Sequence, residues 1–395
     1  MLLAFESISR PVLIEQGLKV LPSLGRAFAG WPHREVAADG QPDPLINVLL
    51  QDGRYVLQAP WLPQPARYDH PVALADGMVT VLQQAWFRER TAALWIRGAA
   101  AEVGGSLIVL LGGPRSGKSL VAGCLALGGH RIFADDVLPV LPGDRAGLSL
   151  GLAPRIRLPL PDSLSWSVRA TMEMQKLPGN DDLFHLSPGG DNVARLGQQA
   201  PIRAFVLLDR VDGAAASLRP ARENTVLKRL VLGSGSERLG AAEVLRRLQT
   251  VVAGAACFRL VYSDPEAARA TLRGRFAMWP ASTITRAAGQ PAVRRRIPAA
   301  PKSPSGRRFR RPDGVQERVI DGDLFLVDRF GETIYHLNGL GAGLWTLLDD
   351  SHGLDDVLAV LGDAFPYMDR TAIADDVQAL VGELTQRGLL EERVD

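Results

Sequence analysis

Gly112-Gly113-Pro114-Arg115-Ser116-Gly117-Lys118-Ser119 reads G-x-x-x-x-G-K-S, the phosphate-binding P-loop, and its flanks decide how the chain folds around it. Upstream, Ser106 to Leu111 (SLIVLL) is a continuous apolar run, the pattern of a strand buried on both faces. Downstream, Leu120, Val121, Cys124, Leu125 and Leu127 recur at helical spacing and stop at Gly128-Gly129. Strand, glycine loop and helix in that order predict an α/β sheet domain with an anion site at the head of the helix. Gly112 and Gly117 let the backbone wrap so that amides point at phosphate oxygens. Gly113, Pro114, Arg115, Ser116 and Leu120 complete the expected nucleotide cradle. Lys118 supplies a mobile charge for the β/γ-phosphates, and the Ser119 hydroxyl is placed to serve Mg²⁺.

Composition narrows the field around this motif. At 395 residues the chain is longer than most single cores and predicts two or three domains. A net charge of +2 provides no global electrostatic argument for a nucleic-acid partner. Cys124 and Cys257 offer neither a metal spacing nor a disulfide framework, which suits a reducing cytoplasm. The first residues lack a basic segment followed by a clean apolar stretch, and no run approaches 18 apolar residues. The expectation is a soluble, cytoplasmic protein without a membrane partner.

The sharpest discontinuity lies between Arg286 and Pro312, where nine basic residues and no acidic one are punctuated by prolines. Residues 281–314 are expected to be a basic, Pro-rich linker, either a solvated spacer or a polyanion-binding arm. Residues 1–280 then form the P-loop domain with a β-rich N-terminal part. Leu45 to Leu57 reads as a hairpin around Gln51-Asp52-Gly53, and Val72 to Thr91 as an amphipathic helix. Leu94–Ile96, Arg131–Ala134, Ala204–Leu208 and Phe258–Tyr262 read as strands. Gln175 to Gln199, rich in Gly, Pro, Asn and Asp, reads as a long loop. Residues 315–395 form a third segment: a hairpin across Asp321-Gly322-Asp323, a strand at Thr333–Leu337, then helices at 340–348, 354–365 and 373–387 capped by Gly388.

A second chemical cluster follows the P-loop helix in Gly129-His130-Arg131-Ile132-Phe133-Ala134-Asp135-Asp136. Two adjacent carboxylates at a strand end fall where ligands collect in doubly wound sheets. GGPRSGKS followed by GHRIFADD resembles the bacterial HPr kinase/phosphorylase family over about residues 90–140. The likeness implies ATP and Mg²⁺ as cofactors, Asp135 as the base that accepts the acceptor serine's proton, and Asp136 as its support or a metal ligand. Asp209, ending AFVLL, is either a Walker-B-type ligand or a strand-end turn residue, and His130 reads as packed or capping. Arg97 stands where the family carries a histidine near the phosphates. Because Arg cannot titrate, a one-way kinase is favoured over a phosphorylase. The family's glutamate-containing loop is also missing, and the nearest stretch, Ala153 to Pro159, offers arginines.

The pattern VDRFGETIYHLNGLGAGLWTLLD, followed by IADDVQALVGELTQRGLL, resembles the PqqD family across most of residues 315–395. That likeness implies a small winged-helix-like domain of three or four strands and three helices (ββββ/βββααα). Its sheet edge would take the leader of a ribosomally made precursor peptide as an added strand. The joint expectation is a peptide kinase, similar to the tailoring kinases of lasso-peptide pathways, tethered to its own leader binder. Two alternatives stand beside it: a kinase or phosphorylase of an HPr-like carrier protein, and a non-catalytic ATP-binding recognition module. Self-association as a homo-oligomer is left open.

Overall fold

The computed structural model describes residues 1–177, 182–187, 189, 191–279, 307–321, 323–348, 353–364 and 369–393. By its contacts the chain divides into two compact units, Met1–Leu239 with Leu248–Thr285, and Gly240–Arg247 with Arg286–Asp395. Mixed α/β structure with several sheets and ten α-helices is present among the described residues.

The first unit begins with a six-stranded sheet in the order His33–Val36, Leu2–Phe5, Val12–Ile14, Ile46–Gln51, Arg54–Gln58, Ala66–Tyr68. The expected hairpin is its Ile46–Gln51/Arg54–Gln58 pair, turned through Asp52 and Gly53 at φ 50 and 76. The long helix Pro71–Glu89 packs Leu74, Met78, Leu82 and Trp86 into the core beneath this sheet. His70 caps its start, Nδ1 accepting from the Ala73 amide at 3.3 Å.

The second sheet has nine strands, and its centre is parallel: Ser106–Leu111 beside Gln199–Arg210 beside Ala256–Tyr262. Every residue of Ser106–Leu111 is buried, as its unbroken apolar run requires. Two chain segments run side by side from one part of the sheet to the other. Leu94–Arg97 passes through Gly98 into Ala99–Val103, while Arg131–Ala134 passes through Asp135-Asp136 into Val137–Val140. The Gly98 amide donates to the Asp136 carbonyl at 2.8 Å, which ties the two crossings together. A Cβ at Gly98 would stand 2.8 Å from the Leu110 carbonyl, so only glycine lets the strands approach this closely.

One strand is added to the reading of the sequence and two readings are corrected. Ala99–Val103 is a buried strand that its alanines concealed, because alanine has little strand preference and is chosen here for tight packing. The span read as one long loop contains Leu183–His185, paired with Arg155–Arg157 so that Arg155 faces His185 in register. The expected linker to residue 314 ends earlier, because Arg308–Arg310 is a strand paired with Glu391–Arg393 and Phe309 is 2% exposed in the C-terminal core. Within that segment Arg307 pairs with Glu392, Arg310 with Glu391 and Arg311 with Glu317, so these arginines serve the fold rather than an open polyanion arm. Arg308 lies in the same strand, and the other five basic residues of the expected arm, from Arg286 to Lys302, lie outside the described residues.

The second unit carries the sheet Gln316–Ile320, Asp323–Val327, Ile334–Leu337 and the helices Gly339–Leu347, Leu354–Ala364 and Arg370–Gln386. Its core joins Phe309, Leu326, Leu344, Trp345, Val377 and Leu389. Gly388, at φ 68, follows the last helix as expected.

Candidate active site

The P-loop leaves the buried strand at Leu111 and enters the helix Lys118–Leu127. Arg115 sits at φ 62 and Gly117 at φ 85, two left-handed residues that turn the loop on itself. At Gly117 a Cβ would stand 2.2 Å from the Tyr262 hydroxyl, so the position excludes every side chain on both conformational and steric grounds. Tyr262, at the end of the second parallel neighbour, donates to the Ser116 carbonyl at 2.6 Å. Burial pushes its phenol up to about 12, so it remains a donor across the working pH range. The Ser116 hydroxyl oxygen is enclosed without a partner.

Three cations converge on the loop. Lys118 Nζ donates to the Gly112 and Gly113 carbonyls at 3.1 and 3.0 Å. Arg229, on the helix Glu223–Val231, also donates to the Gly112 carbonyl. Arg97 reaches Asp136 at 3.4 Å. Burial lowers the Lys118 pKa most; Asp136 and Asp135 oppose that effect, while Arg229 and Arg97 add to it. Lys118 therefore sits between two carboxylates and two guanidiniums, with burial the main force on its charge.

The Asp pair occupies the second crossing described above. Asp135 Oδ2 accepts the Arg155 amide at 2.9 Å, the nearby Ser119 hydroxyl favours the ionised carboxylate, and Oδ1 is buried without a partner. Burial pushes the Asp135 carboxyl up to about 6, against the pull of these hydrogen bonds. Asp136 is more open and turns to Arg97. The structure thus brings Lys118, Ser119, Asp135, Asp136 and Arg97 into one place.

Behind Asp135 lies a network that the sequence did not disclose. Arg155 Nη1 grips both Asp76 carboxylate oxygens at 3.2 and 3.1 Å, and the buried His185 stands 3.5 Å from Asp76. Burial works to raise Asp76, but the His185 hydrogen bond and the Arg155 charge hold it below the ordinary carboxylate value. Arg155 lies in the arginine-bearing stretch singled out above, whereas Asp76, His185 and Arg229 carried no motif. Asp209 pairs with Arg259 at 3.3 Å on a half-exposed strand end. The His130 amide closes the P-loop helix on the Leu125 carbonyl at 3.0 Å. No group of three or more His, Cys, Asp or Glu among the described residues is arranged to hold a metal alone.

Residues 324–390 match the family model described as coenzyme PQQ synthesis protein D (PqqD), so the C-terminal unit is a PqqD-type domain. No curated protein matches the chain. Among solved structures, the chain is similar to TbiB1 in complex with the TbiA(beta) leader peptide, at 22% identity over 22% of this chain and 99% of that one, TM-score 0.20. It is also similar to the Hpr(Ser) kinase/phosphatase from Coxiella burnetii, at 12% identity over 46% of this chain and 94% of that one, TM-score 0.24. No helix among the described residues is long and apolar enough to cross a membrane.

Proposed function

We propose that the chain is an ATP-dependent kinase that phosphorylates a serine or threonine of a ribosomally made precursor peptide, recruited by its leader through the C-terminal domain. The observation that carries this reading is the Asp135 carboxylate, held by the Arg155 amide beside Ser119 of the P-loop with one oxygen enclosed and unpartnered. A loop that merely bound nucleotide would have no use for such a base.

Lys118, Arg97 and Arg229 supply charge for a triphosphate. Ser119 and Asp136, with phosphate oxygens and water, suit Mg²⁺, which prefers one or two protein ligands over a full protein cage. When bound, Mg²⁺ would neutralise charge on the transferring phosphoryl group. Asp135 orients the acceptor hydroxyl and takes its proton. The PqqD-type domain supports recruitment, since its family resemblance implies leader binding at a sheet edge. Tethering would raise the local acceptor concentration to about millimolar.

The test is mass spectrometry of candidate precursor peptides incubated with ATP and Mg²⁺. An 80-Da addition that depends on Lys118 supports the reading. Unchanged turnover by a folded Lys118→Ala variant would exclude it.

A further inference from the structure

We infer that the cleft beside Asp135 is the acceptor subsite, and that Thr80 and Gln83 on the long helix Pro71–Glu89 hold the acceptor peptide's main chain there. This deepens the kinase reading and rests on it. Asp76, Thr80, Gln83, Asp135, Arg155 and His185 line one cleft. Positions 76, 80 and 83 share a helix face at i, i+4 and i+7. The rest of this helix is spent on the core, through Leu74, Met78, Leu82 and Trp86. Thr80 and Gln83 lie outside that core and share the cleft with Asp135.

The members of this helix face divide the work. Asp76 is consumed by Arg155 and His185, which fixes one end of the cleft. Neither Thr80 nor Gln83 has a side-chain hydrogen-bond partner among the described residues. A carboxamide offers an acceptor and two donors together, matching the alternating C=O and N–H of an extended peptide. Asp135 Oδ1, buried and unpartnered on the same cleft, is the remaining acceptor, and it suits the hydroxyl of the residue being modified. In the step this serves, the acceptor oxygen bonds to the γ-phosphorus of ATP and the β–γ bridging P–O bond breaks. ADP leaves, and the hydroxyl proton passes to Asp135.

The probe is N-acetyl-Gly-Ser-Gly-amide, a bare seryl main chain, offered with radiolabelled ATP and Mg²⁺ to the full chain. Gln83→Leu and Thr80→Val should each raise the KM for this peptide roughly 3- to 10-fold, the worth of one hydrogen bond. The KM for ATP should not move, and Thr80→Ser should restore the wild-type value. A structural role would lower kcat and the melting temperature without this split or this rescue. Wild-type protein that binds no ATP would sink the kinase reading itself. Wild-type protein that binds ATP but leaves the tripeptide unmodified, variants with unchanged acceptor KM, or variants that raise the KM for ATP would each overturn the cleft assignment.

Discussion

The Arg155 amide donates to Asp135 Oδ2 at 2.9 Å while the Arg155 guanidinium holds Asp76 at 3.1 Å, so one residue joins the strand end that carries Asp135 to the helix Pro71–Glu89. Main chain and side chain act on different partners. The Asp135 carboxylate is therefore fixed by backbone geometry, and the Arg155 guanidinium is left for Asp76.

Asp135→Asn keeps size and hydrogen bonding but cannot take a proton. Steady-state assays should show kcat falling roughly 10²–10⁴-fold, the usual contribution of a positioned base. In the wild type, kcat/KM should rise with pH through about 6 as Asp135 ionises, and level off above it.

The same shift has a stability consequence. Because the folded-state value is raised from 3.8 to about 6, the stability linked to this group is fully present below 3.8 and lost as pH rises through about 6. At pH 8 the Asp135→Asn protein should unfold at higher urea than wild type, by up to about 3 kcal/mol. The difference should vanish towards pH 4, and a constant offset at all pH values would contradict the buried-carboxylate account.

Asp136 and Arg97 form an open ion pair at 3.4 Å, worth about 0–1 kcal/mol to the fold. Asp136→Asn should leave the melting temperature within a degree or two, while the Mg²⁺ concentration for half-maximal rate rises several-fold. A rate with unaltered Mg²⁺ dependence would remove Asp136 from the metal's surroundings.

Gly117→Ala places a methyl 2.2 Å from the Tyr262 hydroxyl and requires φ 85 of an alanine. ATP affinity, measured by calorimetry, should fall at least tenfold. Adding Tyr262→Phe removes the hydroxyl contact but not the backbone strain, so the double variant should recover only in part.

Removing the C-terminal unit should raise the KM for a full precursor and leave slow transfer to a leaderless acceptor at high concentration. A fragment beginning at Arg307, which keeps Phe309 and the strand Arg308–Arg310, should bind leader peptide by itself. One beginning at 315 lacks that strand and should be less stable. Equal melting temperatures for the two fragments would refute the role given to the strand.

The sequence alone determined the parts whose physics is local. An unbroken apolar run specifies a doubly buried strand, glycines at fixed spacing specify a phosphate loop, and a two-residue polar turn between alternating runs specifies each hairpin. Lys118 and Ser119 stand out for that reason, while Asp135 and Asp136 stand out only as paired carboxylates at a strand end, with their roles implied by the family resemblance. Arg97 was legible only through the family resemblance. Only the tertiary structure decided how the Asp135 carboxylate is held. Asp76, Arg155 and His185 lie far apart in the chain, and each is an ordinary polar residue until the register Arg155–His185 and the packing of the helix Pro71–Glu89 bring them together. Burial by those distant segments, which no local pattern encodes, is also what raises the Asp135 pKa.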